Sequence, residues 1–445
     1  MRRRHAAVLA ILTTMALGGC TATSDETDAS TSGVAPATRE VADGEGVWDA
    51  DTLHEISVDV DEDAFAAMID TYQETDDKEW IEATVAIDGE TYPRAGLRLK
   101  GNSSLRGATD GAEPTDLPWL IRLDEYVDGQ EVDGSSELVV RSNSSETALN
   151  EAVALDLLAE AGLASEHAVA SSFSVNGADA RLRLVVQNLD EDWEAENFEG
   201  DGLLYKAEAG GDWSYRGDDP DSYTDVFDQE TGDDDLTPLI DFLDFVNNSS
   251  DDDFAAQLPD HLDVASFARY LAFEEVVDNF DDIDGPGNNA FLRYDATTGG
   301  FTVVAWDHNL AFGGSPGGAG GGGFPGGGDR PEGMPTDLPT DLASGMPTDL
   351  PSGMPSGMPE GERPEGGPGM GGRSNVLVER FTAVEEWADL VTQAKADLVE
   401  ELYDSGYAEQ VLDRWTTVLT EQAGDLVDAD TVQQEADAIR SSIEG

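Results

Sequence analysis

Two segments in the middle of the chain place a carboxylate or an amide at the end of an apolar run. The first starts at Val277 and carries Asp281 and Asn289, and the second starts at Val303 and carries Asp307. Phosphoryl transfer requires these groups, because a carboxylate accepts the proton of the attacking hydroxyl while an amide and a second carboxylate hold Mg²⁺ on the phosphates. The alternative is a pair of ordinary loops in which Asp and Asn cap turns.

Other carboxylates lie close to Asp281 in the sequence. Asp278, Asp282 and Asp284 are open alternatives for the base, since only the Asn-x-Asp spacing selects Asp281. A cluster of like charges is costly without a cation, so this concentration of acids is also typical of a metal site.

A predicted β-hairpin lies between the two segments. Residues 289–294 and 301–305 read as strands joined across a turn at 297–300. A hairpin brings its two ends together. We therefore expect Asp281, Asn289 and Asp307 to converge despite their separation in sequence.

The rest of the chain predicts an α+β protein, with a mostly antiparallel sheet first and helices afterwards. Asp61 is expected to cap the first helix. Alternating and amphipathic patterns predict strands at 53–60, 84–88, 94–100, 119–123, 137–141, 168–175 and 180–186, and helices at 64–72, 147–161, 239–246, 254–258, 264–277, 382–403, 407–423 and 429–443. Residues 313–373 are rich in Gly, Pro and Met and predict a disordered insertion that interrupts the domain.

The first residues have the pattern of an export signal. Residues 1–20 combine an Arg-rich start, a short apolar run and a small-residue site that ends at Cys20, and residues 21–45 read as a flexible tether. The segment resembles a bacterial lipobox, which would make Cys20 the lipidated first residue of an exported, membrane-anchored protein. A soluble secreted protein whose cleavage site ends in Cys is the alternative.

The chain is strongly acidic, with 94 Asp and Glu against 24 Lys and Arg and a net charge of −70. Such a charge repels phosphate backbones and excludes nucleic acid as a partner. Lysine occurs only as Lys78, Lys100, Lys206 and Lys395. Lys100 ends a predicted strand before Gly-Asn-Ser-Ser, a position well suited to a phosphate.

Several blocks, taken in order, resemble the spore-coat CotH kinases, secreted bacterial proteins with an atypical kinase fold. The blocks are LRLKGNSS (97–104), TALNE (147–151), LLYK (203–206), NFD (279–281), NN (288–289), WD (306–307), FG (312–313) and the helical tail from 375. The resemblance implies an atypical protein-kinase-like fold, with a mostly antiparallel N-terminal β lobe and a mainly helical C-terminal lobe. Its two parts would be residues 46–312 and 374–445.

The resemblance also implies roles for the residues of the first segment and the second. Asp281 corresponds to the catalytic carboxylate that orients or deprotonates the substrate hydroxyl. Asn289 and Asp307 correspond to the amide and the carboxylate that bind the metal, Mg²⁺ or Mn²⁺.

The same comparison implies a site for ATP. Lys100, or alternatively Lys206, would neutralise the nucleotide phosphates, with Ser103 in the same block among the nucleotide-binding residues. Glu151 would hold that lysine in an ion pair, as in ordinary kinases. Trp306 would form a wall of the nucleotide pocket.

The chain departs from the family pattern at three places. No Lys precedes the strand at 117–122, where Arg122 is the nearest cation, Asn288 replaces a His, and Asn309 replaces an acid. The metal side of the site therefore keeps its main groups, while the phosphate side departs from the pattern.

The function expected from the resemblance is a lipid-anchored, extracytoplasmic kinase that transfers the γ-phosphoryl of ATP to Ser or Thr of a secreted, spore-coat or surface protein. Two alternatives remain open. One is a non-catalytic structural or adhesion protein of the envelope, a pseudokinase. The other is a nucleotidyl transferase or ligase on the same fold, since a fold alone does not determine the chemistry.

Overall fold

In the computed structural model, the described residues are 46–101, 103–105, 113–314 and 375–445, and all of them belong to one compact unit. The predicted signal, the tether and Cys20 lie outside the described residues. So does the predicted insertion, apart from its first two residues.

Seven strands of the first half close into a β-barrel. They are β1 (His54–Val60), β2 (Ile81–Ile87), β3 (Glu90–Leu99), β4 (Trp119–Arg122), β5 (Glu137–Val140), β6 (Ala168–Val175) and β7 (Arg181–Gln187). Their order is β1-β2-β3-β4-β5-β7-β6, and a parallel pairing of β1 with β6 closes the barrel while all other neighbours are antiparallel. Alternating inward residues such as Ile56, Val85, Leu97 and Trp119 fill its interior.

Two helices interrupt the run of barrel strands, the first between β1 and β2 and the second between β5 and β6. Helix α1 (Glu62–Thr75) begins after Asp61, whose carboxylate accepts hydrogen bonds from the backbone N–H groups of Asp63 and Ala64, which confirms the predicted cap. Helix α2 (Leu149–Glu160) is buried along most of its length because the barrel covers one side and a later helix covers another.

A second sheet of four antiparallel strands follows. It contains β8 (Gly202–Ala207), β9 (Phe227–Thr231), β10 (Ala290–Asp295) and β11 (Phe301–Ala305) in the order β11-β10-β8-β9. The predicted hairpin is confirmed as β10 and β11. The sequence patterns missed β8 and β9, since β8 is apolar over Leu203–Tyr205 without the alternation of a half-exposed strand.

The remaining elements are helices. They are α3 (Glu191–Asn197), α4 (Thr237–Asn248), α5 (Asp251–Gln257), α6 (Val264–Val276), α7 (Val376–Thr382), α8 (Glu385–Leu398), α9 (Tyr407–Gln422) and α10 (Ala429–Glu444), with a π-helical stretch after α8 at Val399–Asp404. The predicted helix at 382–403 is wrong at its start, because α7 ends at Thr382 and α8 begins a new turn at Glu385. The whole is a mixed α+β protein with sheets first and helices later. Within the described ranges, no helix is both long and apolar enough to span a bilayer.

Candidate active site

The hairpin of the second sheet brings the two predicted segments together. Ala290 and Ala305 are the last paired residues of β10 and β11, so Asn289 and Trp306 leave the ladder side by side. The side chain of Asn289 donates a hydrogen bond to the backbone carbonyl of Asp281 at 2.8 Å. Asp281 and Asn289 are therefore in contact, and Asp307 follows from the neighbouring strand.

Backbone hydrogen bonds also join the two segments further along the chain. The N–H of Phe312 donates to the carbonyl of Val277 at 2.6 Å, and the N–H of Gly313 donates to the carbonyl of Asp278 at 3.1 Å. Gly313 has a φ of +73°, and a Cβ there would lie 3.1 Å from Asp278 Oδ2. Glycine suits this position because both the backbone conformation and the space are unfavourable for a side chain.

The carboxylates of the first segment have different surroundings. Asp282 Oδ1 accepts the backbone N–H groups of Asp284 at 3.0 Å and Gly285 at 2.8 Å, so this side chain shapes the turn. Burial, together with the nearby charge of Glu274, raises the pKa of Asp282 to about 7. Asp281 is partly exposed, and burial raises its pKa while the side chain of Asn289 opposes this rise.

Arg141, just after β5, is at the centre of the charged groups near Asp307. Its guanidinium binds Glu151 through two contacts, of 2.8 and 3.0 Å, and also contacts the carboxylate of Asp307. The expected ion pair between Glu151 and Lys100 is therefore not formed. Arg141, directly after β5, pairs instead with Glu151 in the first turn of α2.

Lys100 is half-buried and has a neutral partner. Its Nζ donates to Asn188 Oδ1 at 2.9 Å and lies 5.6 Å from the centre of the Trp306 ring. Burial is the main cause that lowers the pKa of Lys100 to about 8. An anion that reached Lys100 would relieve an unfavourable charge.

Three cations among the described residues have no carboxylate at ion-pair distance, and they are Lys78, Arg98 and Lys100, whereas every other described Lys or Arg has one. Arg98 and Lys100 are two residues apart, at the end of β3. The guanidinium of Arg98 lies 4.7 Å from the Trp80 ring centre, and Lys78 is two residues before Trp80. Burial is the main cause that lowers the pKa of Lys78 and of Arg98. The charge of Lys206 lowers the pKa of Lys78 further. The charges of Glu137 and Glu230, in contrast, oppose the lowering of the pKa of Arg98. We call Lys78, Arg98 and Lys100 the unpaired cation cluster.

The other predicted nucleotide residues are placed as follows. Lys206 lies on β8 and forms an ion pair with Glu208 at 3.1 Å, so its charge is already compensated. Trp306 is only 7% exposed, with Lys100 and Arg141 each 5.6 Å from its ring centre. Its ring thus supports the two cations and leaves little surface for a base. Ser103 begins a short 3₁₀ turn, Ser103–Leu105, and its side chain is outside the described part of the chain.

The metal side offers oxygen atoms on both loops. Asn289 and Asp307 both adopt left-handed backbone conformations, with φ of 53° and 66°. Asn288 and Asn309, the two departures from the family pattern, each have a buried amide oxygen without a hydrogen-bond partner among the described residues. No cluster of three or more His, Cys, Asp or Glu in the described ranges could hold a metal. Hard divalent cations prefer oxygen ligands, so the carboxylate of Asp307 and the amide oxygen of Asn289 are the kinds of ligand that such an ion would need.

Comparison with known proteins identifies the family. A sequence model described as CotH kinase protein matches residues 97–436, well over half of the chain. The chain belongs to this family. It is also similar to the inner spore coat protein H of Bacillus subtilis (strain 168), with 26% identity over 167 residues. That alignment covers 36% of this chain and 45% of the B. subtilis protein, so the chain spans less than half the length of this relative.

The family match begins within β3 and ends within α10, so it includes every residue described for the site except Lys78 and Trp80. Sequence reasoning nevertheless missed Arg141, Arg98 and Lys78. The scarcity of lysine gave a signal for Lys78, since any lysine in so acidic a chain needs a reason. No comparable signal marked Arg141, whose contact with Asp307 joins residues 166 positions apart.

Proposed function

We propose that this CotH-family protein is a metal-dependent protein kinase that transfers the γ-phosphoryl of ATP to a Ser or Thr hydroxyl of a secreted, spore-coat or surface protein. The observation that carries the proposal is the unpaired cation cluster. The chain has a net charge of −70, yet these three cations have no carboxylate partner among the described residues. One of them, Lys100, lies 5.6 Å from the ring centre of Trp306, and Asp307 is the next residue after Trp306. A nucleotide polyphosphate with its metal is the ligand that needs cations and carboxylates side by side.

Each group has a role in this reaction. Lys100 and Arg98 would neutralise the phosphate oxygens by charge-assisted hydrogen bonds. Mg²⁺ or Mn²⁺, when bound by Asn289 and Asp307, would balance the charge of the phosphoryl group. Asp281 would accept the proton of the acceptor hydroxyl, and the burial that raises its pKa makes it a stronger base. An atypical protein-kinase-like fold, with the barrel and the helical part as its two lobes, is part of this proposal.

The proposed location is the extracytoplasmic side of the membrane, with a lipid at Cys20 as the anchor. The export pattern of residues 1–20 supports it, and so does the name of the B. subtilis relative, an inner spore coat protein. The acceptor would then be a protein of the same compartment.

A labelling experiment tests the activity. The purified full-length protein is incubated with ATP labelled at the γ- or the α-phosphate, Mg²⁺ or Mn²⁺, and a generic acceptor protein. We expect acceptor labelling from γ-labelled ATP only. We also expect Asp281→Asn and Asp307→Asn to reduce it by about 100-fold or more, while Lys395→Ala, which changes a half-exposed surface lysine, leaves it intact.

Other results would contradict the proposal. Labelling from α-labelled ATP would indicate nucleotidyl transfer instead. Labelling that persists in both Asp variants would place the chemistry elsewhere in the protein.

A non-catalytic envelope protein is the second candidate. The contact of Arg141 with Asp307 favours it, because a guanidinium on the metal-binding carboxylate competes with a cation. Absence of both acceptor labelling and any metal-dependent thermal shift with ATP would support this candidate over the kinase.

A further inference from the structure

A buried carboxylate lies directly beneath the two loops of the site. Glu274, near the end of α6, is 2% exposed. One of its oxygens accepts a hydrogen bond from Asn279 Nδ2 at 2.9 Å, and the other contacts His308 Nε2 at 3.2 Å. In the sequence-based interpretation, Asn279 served only to select Asp281 by its spacing, and His308 had no role.

The two partners of Glu274 belong to different loops. Asn279 is two residues before Asp281, and its Oδ1 in turn accepts the backbone N–H of Asp281 at 3.4 Å. His308 directly follows Asp307. Glu274 therefore touches both loops at once, each within two residues of a proposed functional carboxylate.

The contact with Glu274 is the polar anchor of the His308 ring. His308 is completely buried, and its Nδ1 has no hydrogen-bond partner among the described residues. The ring otherwise packs against Phe273 with an edge-to-face geometry. Loss of Glu274 would thus leave the ring with no hydrogen bond in the described structure.

Packing alone does not account for a carboxylate at this position. A buried charge is unfavourable unless its partners are well placed, and an apolar residue of similar volume would fill the space more readily. The backbone hydrogen bonds between the segments lie at Val277 and Asp278, and Asn289 bonds to the Asp281 carbonyl, so none of these contacts is made by the side chains of Asn279 or His308. Glu274 joins these two side chains directly, through one hydrogen bond to each.

We propose that Glu274 is a positioning residue that couples the Asp281 loop to the Asp307 loop through Asn279 and His308. Its effect on catalysis rests on the proposed kinase function. The coupling itself is a property of the fold and does not depend on the reaction.

Hydrogen exchange of backbone amides in the full-length protein tests the coupling. We expect His308→Leu to increase exchange about tenfold not only around 306–311 but also at 279–283, to which the His308 side chain is linked through Glu274. We expect Asn279→Ala to have the reciprocal effect. Glu275→Ala is the matched control, because Glu275 is the next residue of α6 but is exposed and paired with Lys395 at 2.7 Å.

Exchange that rises only in the substituted loop, in both variants, would overturn the proposal. This outcome can be read even if the wild-type protein shows no phosphoryl transfer, so failure of the kinase proposal and failure of the coupling are distinguishable. Each of these variants removes one partner of Glu274 and leaves Glu274 itself in place. The exchange experiment can therefore be carried out even if Glu274 variants do not fold.

Kinetics provide the second readout in an active protein. We expect Glu274→Ala to lower kcat about 100-fold while KM for ATP changes less than about threefold, since the phosphate-binding cations are untouched. The kcat of Glu274→Gln should be about tenfold higher than that of Glu274→Ala, because the amide can still accept a hydrogen bond from Asn279 and donate one to a neutral His308. A rise in KM for ATP with unchanged kcat, or no recovery by Gln, would contradict a positioning role.

Discussion

Lys100 shows how a single side chain reflects the charge of the whole protein. Surrounded by a large excess of acids, it still has an amide rather than a carboxylate as its partner. Its burial has therefore not been compensated by an ion pair. A missing partner of this kind is informative because the sequence supplies so many carboxylates that could have served.

The lowered pKa of Lys100 gives a pH-dependent prediction. Below pH 8 the ammonium is charged and attracts ATP, whereas above its pKa of about 8 the free protein holds a neutral amine. We expect the Kd for ATP to increase as the pH rises through 8 to 9, measured by calorimetry or by fluorescence of a labelled nucleotide. Lys100→Ala should weaken binding about tenfold or more and abolish this pH dependence.

Lys395→Ala serves as the control for Lys100, since it should keep both the affinity and the pH profile of the wild-type protein. A wild-type affinity that stays constant from pH 7 to 9.5 would contradict the assignment of Lys100 to the phosphates.

Arg141 allows a test of stability at the same scale. Arg141→Ala removes the partner of Glu151, a carboxylate only 4% exposed, and leaves that charge buried. We expect a loss of about 3 kcal/mol in the free energy of unfolding, as for other broken buried pairs, measured by denaturant titration. The double variant Arg141→Ala/Glu151→Gln should recover part of the loss.

Arg440→Ala is the matched control for Arg141, because its ion pairs with Glu409, Asp413 and Asp437 lie at the surface and should contribute about 1 kcal/mol or less. Equal losses for the two arginines would contradict a special role of the buried pair.

At the residue scale, the sequence predicts the groups whose position depends on local structure. Asn289 and Asp307 could be placed because they end the strands of one short hairpin. Arg141 could not, because a cation at the end of a strand looks the same whether it faces solvent or a residue from the other half of the chain. The pairing of Glu151 was wrongly assigned for the same reason.

At the scale of elements, the barrel strands were recognised, including the almost fully buried β5 and β7, whereas β8 and β9 of the second sheet were not. β1 and β6 show clear alternation, whereas β8 lies inside the second sheet between β9 and β10 and shows none. The break between α7 and α8 also escaped prediction. Neither Gly nor Pro separates them, and Val384 simply turns to an extended conformation before Glu385.

The loop after β11 provides a prediction at this scale. Gly313→Ala places a Cβ near Asp278 in a left-handed backbone, so we expect a loss of about 1–2 kcal/mol in stability and a lower kcat. Gly177→Ala is the matched control, since Gly177 has a similar φ of +68° but no atom within 4 Å of the added Cβ. Equal effects of the two substitutions on stability and kcat would show that contact with Asp278 is unimportant.

At the scale of the whole molecule, the alternating and amphipathic patterns predicted the mixed class and the composition predicted the acidic surface, but neither predicted the closed barrel. Closure depends on the parallel pairing of β1 with β6, and these strands are separated by more than a hundred residues. No local sequence pattern predicts such a pairing. The predicted mostly antiparallel sheet agrees with the observed pairings except at this closing seam.

The proposed anchor is tested at the same scale. Cys20→Ser should move the full-length protein from the membrane fraction to the soluble exported fraction, because it removes the only cysteine available for a lipid. Fractionation followed by immunoblotting measures the change. Unchanged retention in the membrane fraction would refute lipidation at Cys20.

The closed barrel has a consequence for aggregation with other proteins. A barrel has no unpaired edge, so other chains cannot add strands to it. In the second sheet, β9 and β11 are the edge strands. β9 is only five residues long and carries Asp228 and Glu230, and β11 is equally short, with Phe301 hydrogen-bonded to the backbone of His261 and Asp263. Short, charged edges resist edge-to-edge aggregation. The strand edges of the described fold are thus closed, short or covered, which disfavours the addition of strands from other proteins.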